Sequence, residues 1–356
     1  MSASLPVGTV QVLPVHGVPE VVTGADLPAL LATALAPLGG LREGDVLVVS
    51  SKVVSKALGL REPDGTDREG LVLRHSRRVV AERATPGSGT TRIVEAVAGP
   101  VMAAAGLDAS NTGPDGGVLV LPEDPDAVAR DLHTVLVTEH GIPQQVAVVL
   151  SDTAGRPWRE GQTDLALGSH GLRVLDDLRG GSDADGRALS VTARALADEL
   201  AAAADLVKGK LGGVAAAVVR GMGDHLDDGT GPGARSLVRT GPTDWFGLGR
   251  VEAVRTALGV LPGTGAAVDV GIPSVRPEDD LVRGGRAVRL ALHGQAPGVT
   301  VSGSPADGYA VSSEDPVLAG RVAARLEVAL AGEQVDVGVA VELAAPSATD
   351  DAVPAG

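Results

Sequence analysis

Asp45-Val46-Leu47-Val48-Val49-Ser50-Ser51-Lys52-Val53-Val54-Ser55-Lys56 passes without a break from an apolar run into a polar, lysine-bearing one. So short and so β-branched an apolar run reads as a buried strand. Polar groups at the end of such a strand are held rigidly and can line a cleft. The construction recurs further along the chain. Val146 to Leu150 is a second buried strand, and it runs into Ser151-Asp152-Thr153-Ala154-Gly155-Arg156-Pro157-Trp158-Arg159. Ala215 to Val219 is another strand, and Val118 to Leu121 a shorter one. Between the two polar clusters lies Gly106-Leu107-Asp108-Ala109-Ser110-Asn111.

Helices are predicted around these strands. Asp26 caps one that carries Leu27, Leu30, Leu31 and Leu35 on one face. Val128, Leu132, Val135 and Leu136 recur at helical spacing after Pro125, and Leu196, Leu200 and Leu206 do so within Thr192 to Val207. Glu69 to Arg83 reads as a basic helix with a solvated face. The elements follow no strict βαβ rhythm, so the fold class is α+β, with mixed and antiparallel sheets and flanking helices. The spacing predicts a first domain over residues 1–223 and a Gly-, Asp- and Thr-rich loop or linker over 224–244. A small α+β module occupies 245–344, and a tail over 345–356 has a disordered composition. In the module, Val288, Leu290 and Leu292 alternate as in a half-exposed strand. Val335, Val337, Val339 and Val341 suggest another, with a helix through Val322, Leu326 and Leu330 between them.

The composition narrows the function classes. Hydrophobic residues make up 44% and aromatics 1%, so Val, Leu and Ala must build the core. A net charge of -15 argues against nucleic acid or an anionic membrane as partner. There is no cysteine, which removes thiolate nucleophiles and Cys-ligated metals. Met1 to Val10 lacks the pattern of a signal peptide. No apolar run approaches the roughly 18 residues of a membrane span. A cytoplasmic protein is expected.

Asp108 and Asp152 offer hard carboxylate oxygens, and Thr153 adds a hydroxyl. That set suits Mg²⁺ or Mn²⁺ rather than zinc. Lys56, Arg156 and Arg159 are able to hold phosphates. The same sequences also form ordinary turns and caps, and a single Lys or Arg is commonly just a solvated charge. His16, His75, His133, His140, His170, His225 and His293 are scattered without metal spacing. Neither the P-loop pattern nor the dinucleotide-binding glycine pattern is present. From the residues alone the reading stops at metal-assisted phosphate chemistry.

Several motifs in one order carry the reading further. They are Leu13-Pro14-Val15-His16-Gly17-Val18-Pro19, Ser50 to Lys56, Ala103 to Asn111, Leu121 to Asp126, Ser151 to Asp164, Ala197 to Leu200, Asp205 to Leu211 and Val218 to Gly221. In these the chain resembles the coenzyme F420-0:L-glutamate ligases, over about Val10 to Arg250, and in particular their bacterial form with a fused C-terminal domain. The resemblance implies an α+β, homodimeric ligase. In that family GTP activates the carboxylate of coenzyme F420-0 as an acyl phosphate, and L-glutamate displaces the phosphate to give a γ-linked amide. It implies GTP contacts at Val18, Pro19, Glu20, Val21, Ser51, Lys52, Lys56, Asn111, Lys208, Gly209, Lys210, Leu211, Gly212 and Gly213. It implies divalent metal at Asp108, Asp152 and Thr153, with K⁺ as an optional further ion. Lys56, Asp108 and Asp152 are then the expected catalytic residues.

Two positions depart from the archaeal pattern, which has a carboxylate where Lys210 stands and Asn where Ala104 stands. Asp244-Trp245-Phe246-Gly247-Leu248-Gly249 resembles the junction to a nitroreductase-like, FMN-binding domain. The chain beyond that junction is about half the expected length and poor in aromatics, so FMN is not expected. A bifunctional ligase and FMN-dependent reductase is one alternative. A non-catalytic nucleotide- and metal-binding regulatory module is the other.

Overall fold

The computed structural model describes residues 8–87, 89–241 and 244–344. The expected tail over 345–356 lies outside the described residues. The chain divides into two compact units. One takes the residues up to Arg78 together with Val94–Asp244; the other takes Val79–Ile93 together with the residues from Trp245 onward. The segment 224–244, expected as a loop or linker, falls within the first unit, and the second unit also includes a segment from far upstream.

The first unit is built on a five-stranded mixed sheet in the order Gln11–Val15, Ala216–Arg220, Val46–Ser50, Ala147–Arg156, Arg159–His170. Val46–Ser50 and Ala147–Arg156 run parallel, and the other three pairings are antiparallel. Because side chains alternate along a strand, Leu47 and Val49 face one way and Val46 and Val48 the other. All four are completely buried. Helices Leu27–Leu35 and Pro125–His140 close the first face over Val15, Leu47, Val49, Val148, Leu150 and Val218. Helix Leu196–Lys208 closes the second over Val46, Val48, Ala147, Val149, Ala217 and Val219. Burial on both faces explains why these strands read as unbroken apolar runs rather than alternating ones. Asp26 caps its helix as expected, accepting a bond from the Ala29 amide at 3.0 Å.

Several elements differ from their expected form. The strand expected to stop at Leu150 continues to Arg156, so Asp152 and Thr153 lie within a strand and not beyond one. The reason is its partner, Arg159–His170, which pairs with it residue by residue through Asp152↔Leu165 and Thr153↔Asp164. The helix expected over Glu69 to Arg83 ends at Arg74, and it gives way to strand Ser76–Thr85. Val79 and Val80 favour extended backbone, and the strand pairs with Gly89–Ala96 in a three-stranded sheet completed by Val101–Ala103, with further bonds from a distance. The Gly249 amide donates to the Val80 carbonyl at 2.8 Å and the Ala84 amide to the Pro273 carbonyl at 2.7 Å. Val118 to Leu121 contributes only the two-residue strand Val118–Leu119, paired with Arg61–Glu62.

In the second unit, helices Arg250–Ala257, Gly265–Val270, Asp280–Leu292 and Pro316–Glu333 accompany a three-stranded sheet in the order Val299–Ser304, Gly308–Ser313, Val339–Leu343. The strand expected through Val288, Leu290 and Leu292 is the end of a helix, capped by Asp279 through the Val282 amide at 2.8 Å. Its buried positions Ala287, Leu290 and Ala291 have helical spacing; three alternating residues are too few to tell the periods apart. Buried charges tie segment 79–93 into this unit. Arg92 Nε donates to Glu82 Oε2 at 3.3 Å, and the Glu82 amide donates to Glu252 Oε1 at 3.0 Å. Among the described residues no helix is long and apolar enough to cross a membrane.

Candidate functional site

The strand pair Val46–Ser50 and Ala147–Arg156 ends side by side because it is parallel, with Ser50 opposite Ser151. Both polar clusters therefore emerge at one edge of the first unit. Helix Ser51–Ala57 starts directly after its strand, and four-residue spacing puts Lys52 and Lys56 on one side of it. Helix Leu196–Lys208 brings Lys208 to the same place at its C-terminus. It leads into the turn Gly209–Gly213, with positive φ at Gly209 and Gly213. Asp108 is fixed by main-chain bonds to Leu119 at 3.1 and 2.8 Å. The next loop is held by Arg61, whose guanidinium donates to the Thr112 carbonyl at 2.9 Å.

These elements enclose a cavity of about 680 Å³. Val18, Pro19, Glu20, Val21, Lys52, Lys56, Asn111, Thr153, Lys208, Gly209, Lys210, Leu211, Gly212 and Gly213 line it. Ser51, Asp108 and Asp152 line a separate small void, which Lys52 also borders. Arg156 and Arg159 lie beyond both, on the exposed end of the long hairpin.

Polar contacts link the residues into one network. Lys52 pairs with Asp108 at 2.8 Å and also donates to the Ser110 carbonyl at 2.7 Å. Lys56 pairs with Glu20. Lys208 donates to Asp164 Oδ2 at 2.7 Å and to Ser151 Oγ at 2.6 Å, and the Thr153 hydroxyl donates to Asp164 Oδ1 at 2.7 Å. Lys210 in turn donates to Thr153 Oγ1 at 2.7 Å.

The carboxylates divide by environment. Burial raises Asp108, but bonds from Lys52 and Ser110 outweigh it and hold the group below its ordinary value. Burial likewise raises Asp164, and Lys208 with two hydroxyls brings it down. Asp152 is the exception. Burial and the nearby charges of Asp164 and Asp108 push it up to about 6, against the bond from Ser51 Oγ at 2.9 Å. Among the described residues no lysine or arginine pairs with it.

A half-buried carboxylate set among other carboxylates favours a cation nearby. The donors here are hard oxygens from Asp108, Asp152 and Thr153. No three His, Cys, Asp or Glu residues converge as a ready metal cage among the described residues. Such a set fits Mg²⁺ or Mn²⁺, which take one or two carboxylates and complete their shell with water and substrate phosphates.

The sequence reading did not identify Asp164 as the hub of this network; it appeared only as the last residue of a motif. Its signal is positional, since it faces Thr153 across the hairpin. A second signal is plain once the cavity is known. Lys52, Lys56, Lys208 and Lys210 are the only lysines among 30 basic residues, all the others being arginine. All four line this cavity.

Comparison with known proteins identifies the family. The family model described as F420-0:Gamma-glutamyl ligase matches residues 66–221. A protein of Methanopyrus kandleri named coenzyme F420:L-glutamate ligase is 39% identical over 258 residues, covering 67% of this chain and 98% of the relative. Proteins of the same name from Natronomonas pharaonis and Halorubrum lacusprofundi are each 38% identical, over 60% and 59% of this chain and 88% of each relative. The chain belongs to the F420-0:gamma-glutamyl ligase family and is a ligase.

Proposed function

We propose that this ligase joins L-glutamate to coenzyme F420-0 as a γ-linked amide, driven by GTP. The observation that carries the nucleotide is the convergence of all four lysines of the chain on one cavity of about 680 Å³. Ligand sites of small molecules span about 300–1,000 Å³. Flexible ammonium groups suit phosphates that change position during a reaction. The main-chain amides of the Gly209–Gly213 turn add neutral donors of the kind that hold phosphate oxygens. The acceptor and the amino acid are inferred from the names of the relatives.

The reaction needs no protein nucleophile. The terminal carboxylate of F420-0 attacks the γ-phosphorus, the bond to GDP breaks, and GDP leaves with the electron pair. The glutamate amine then attacks the acyl carbon, gives up a proton, and inorganic phosphate leaves. Lys52, Lys56, Lys208 and Lys210 neutralise phosphate charge through both steps. Asp164 orients Lys208 and Thr153. A divalent ion held by Asp108, Asp152 and Thr153 would share the charge of the phosphates. The active form in this reading is a homodimer.

The test is mass spectrometry of the protein with F420-0, L-glutamate, GTP and Mn²⁺, with ATP and metal-free controls. Glutamyl additions that require GTP and metal support the reading. F420-0 carrying ¹⁸O in its carboxylate should deliver one ¹⁸O to inorganic phosphate. A folded protein that binds GTP yet forms no product would instead be a regulatory module.

A further inference from the structure

The segment from Ala109 to Val118 is a loop closed at its neck, because Asp108 and Leu119 exchange main-chain bonds at 3.1 and 2.8 Å. Compact loops with joined ends are usually packed by their own side chains. This one is not. From Ala109 to Asp115 every residue is exposed or half-buried, so no apolar side chain anchors it. Polar contacts from other elements therefore decide where it lies.

Its inner side faces the cavity of the four lysines. Asn111 and Gly113 line that cavity. Gly113 passes so close over the Lys56–Glu20 pair that a Cβ would come within 2.4 Å of Glu20 Oε1 and 3.4 Å of Lys56 Nζ. A shift of the loop thus moves one wall of the cavity.

Three side chains reach the loop's main chain from outside. Lys52 donates to the Ser110 carbonyl at 2.7 Å, near the neck. Asp64 accepts from the Gly117 amide at 2.9 Å, where the loop ends. Arg61 grips the turn between them, donating to the Thr112 carbonyl at 2.9 Å and also to the Gly116 carbonyl. Only 13% of its side chain is exposed, and its backbone pairs with Leu119 at the neck. A planar guanidinium with several fixed donors holds two carbonyls at once, which a single flexible ammonium does less rigidly.

We propose that Arg61 is a positioning residue for the nucleotide: it lines neither the cavity nor the small void beside it, and it holds the turn from Thr112 to Gly116 so that Asn111 and Gly113 stand against the ligand. The inference rests on the reading of the cavity as the GTP site. The neck bonds hold Asp108 without help from Arg61, so the metal residues should be spared and the effect confined to binding.

The test is calorimetric titration of GTP and Mg²⁺ into the protein without F420-0, beside steady-state ligation kinetics. Arg61→Gln should raise Kd and KM for GTP about tenfold, the effect of losing one charge-assisted hydrogen bond. It should leave kcat at saturating GTP and KM for L-glutamate unchanged, and Arg61→Lys should recover part of the affinity. Amide exchange over residues 110–117 should quicken in Arg61→Gln and slow again at saturating GTP. A lower Tm with an unchanged Kd for GTP would make Arg61 structural only and overturn the proposal. So would loss of kcat with Kd kept. Should Arg61→Gln not fold, exchange over 110–117 in the unaltered protein still decides, since no slowing on addition of GTP overturns the proposal. A protein that forms no product yet binds GTP, with the tenfold loss in Arg61→Gln, would remove the ligase reading and keep the role of Arg61. An unaltered protein that binds no GTP would remove the nucleotide site and that role with it.

Discussion

Asp152 is held ionised at neutral pH against its surroundings, since burial and two neighbouring carboxylates raise it to about 6. A carboxyl raised in the folded state relative to the unfolded chain destabilises the fold above its folded pKa. It regains that stability as pH falls toward the unfolded value. Asp152→Asn keeps the volume and an oxygen for the Ser51 bond but removes the charge. We expect it to lose turnover and divalent-metal binding while melting higher than the unaltered protein at pH 7–8 without metal. The gain should shrink below pH 6, which melting curves across pH would show. An equal or lower Tm at pH 8 would refute the charge argument. Ala104 offers a second test, with φ at +51° ahead of Ala105 at +55°. Left-handed backbone costs a non-glycine residue roughly 1–2 kcal/mol, and asparagine tolerates it better. Ala104→Asn should therefore raise Tm by a few degrees with activity kept.

At the scale of elements, the outer strand Arg159–His170 depends on how helix Pro125–His140 seats on it. Gly168 lies under its first turn, where a Cβ would come within 2.2 Å of the Pro125 carbonyl oxygen. Asp126 secures the same contact by accepting from the Ser169 amide at 2.7 Å and the Ala234 amide at 2.8 Å. Gly168→Ala must push the helix away from its strand. Strain from overpacking typically costs about 1–3 kcal/mol, and denaturant titration should report a loss of that size. An unchanged midpoint would mean that the helix seats more loosely than the contact implies.

At the scale of the whole molecule, the second unit is not a simple appendage, because Val79–Ile93 belongs to it. Glu82 and Glu252 are each 1% exposed and Arg92 is 5% exposed. Removing one side of such a buried network leaves charges without compensation, at a cost of about 3–5 kcal/mol per broken pair. A chain ending at Asp244 should therefore be cut by protease within residues 79–93 far faster than the full chain. The fragment from Trp245 onward should not fold alone. Equal resistance of the shortened chain to protease would show that the segment holds its form without its partners.

The strands Val46–Ser50 and Ala216–Arg220, the capped helix at Asp26 and the helices after Pro125 and before Lys208 were legible because each is a local pattern of apolar spacing and end signals. The ordered motifs were equally legible, and with them the family. Three things were not local and were decided only by tertiary structure. Strand Ser76–Thr85 looked helical, and it is held extended by pairing with Gly89–Ala96 and by main-chain bonds to Gly249, Pro273 and Val275. Asp152 and Thr153 lie inside a strand because Arg159–His170 pairs along them. Asp164 became the partner of Thr153 through register and of Lys208 through the packing of helix Leu196–Lys208. Periodicity records what a residue does within its own element. Pairing across a sheet and the closure of a cavity depend on residues that the chain brings together from a distance, and four lysines in two distant pairs became one site only in that way.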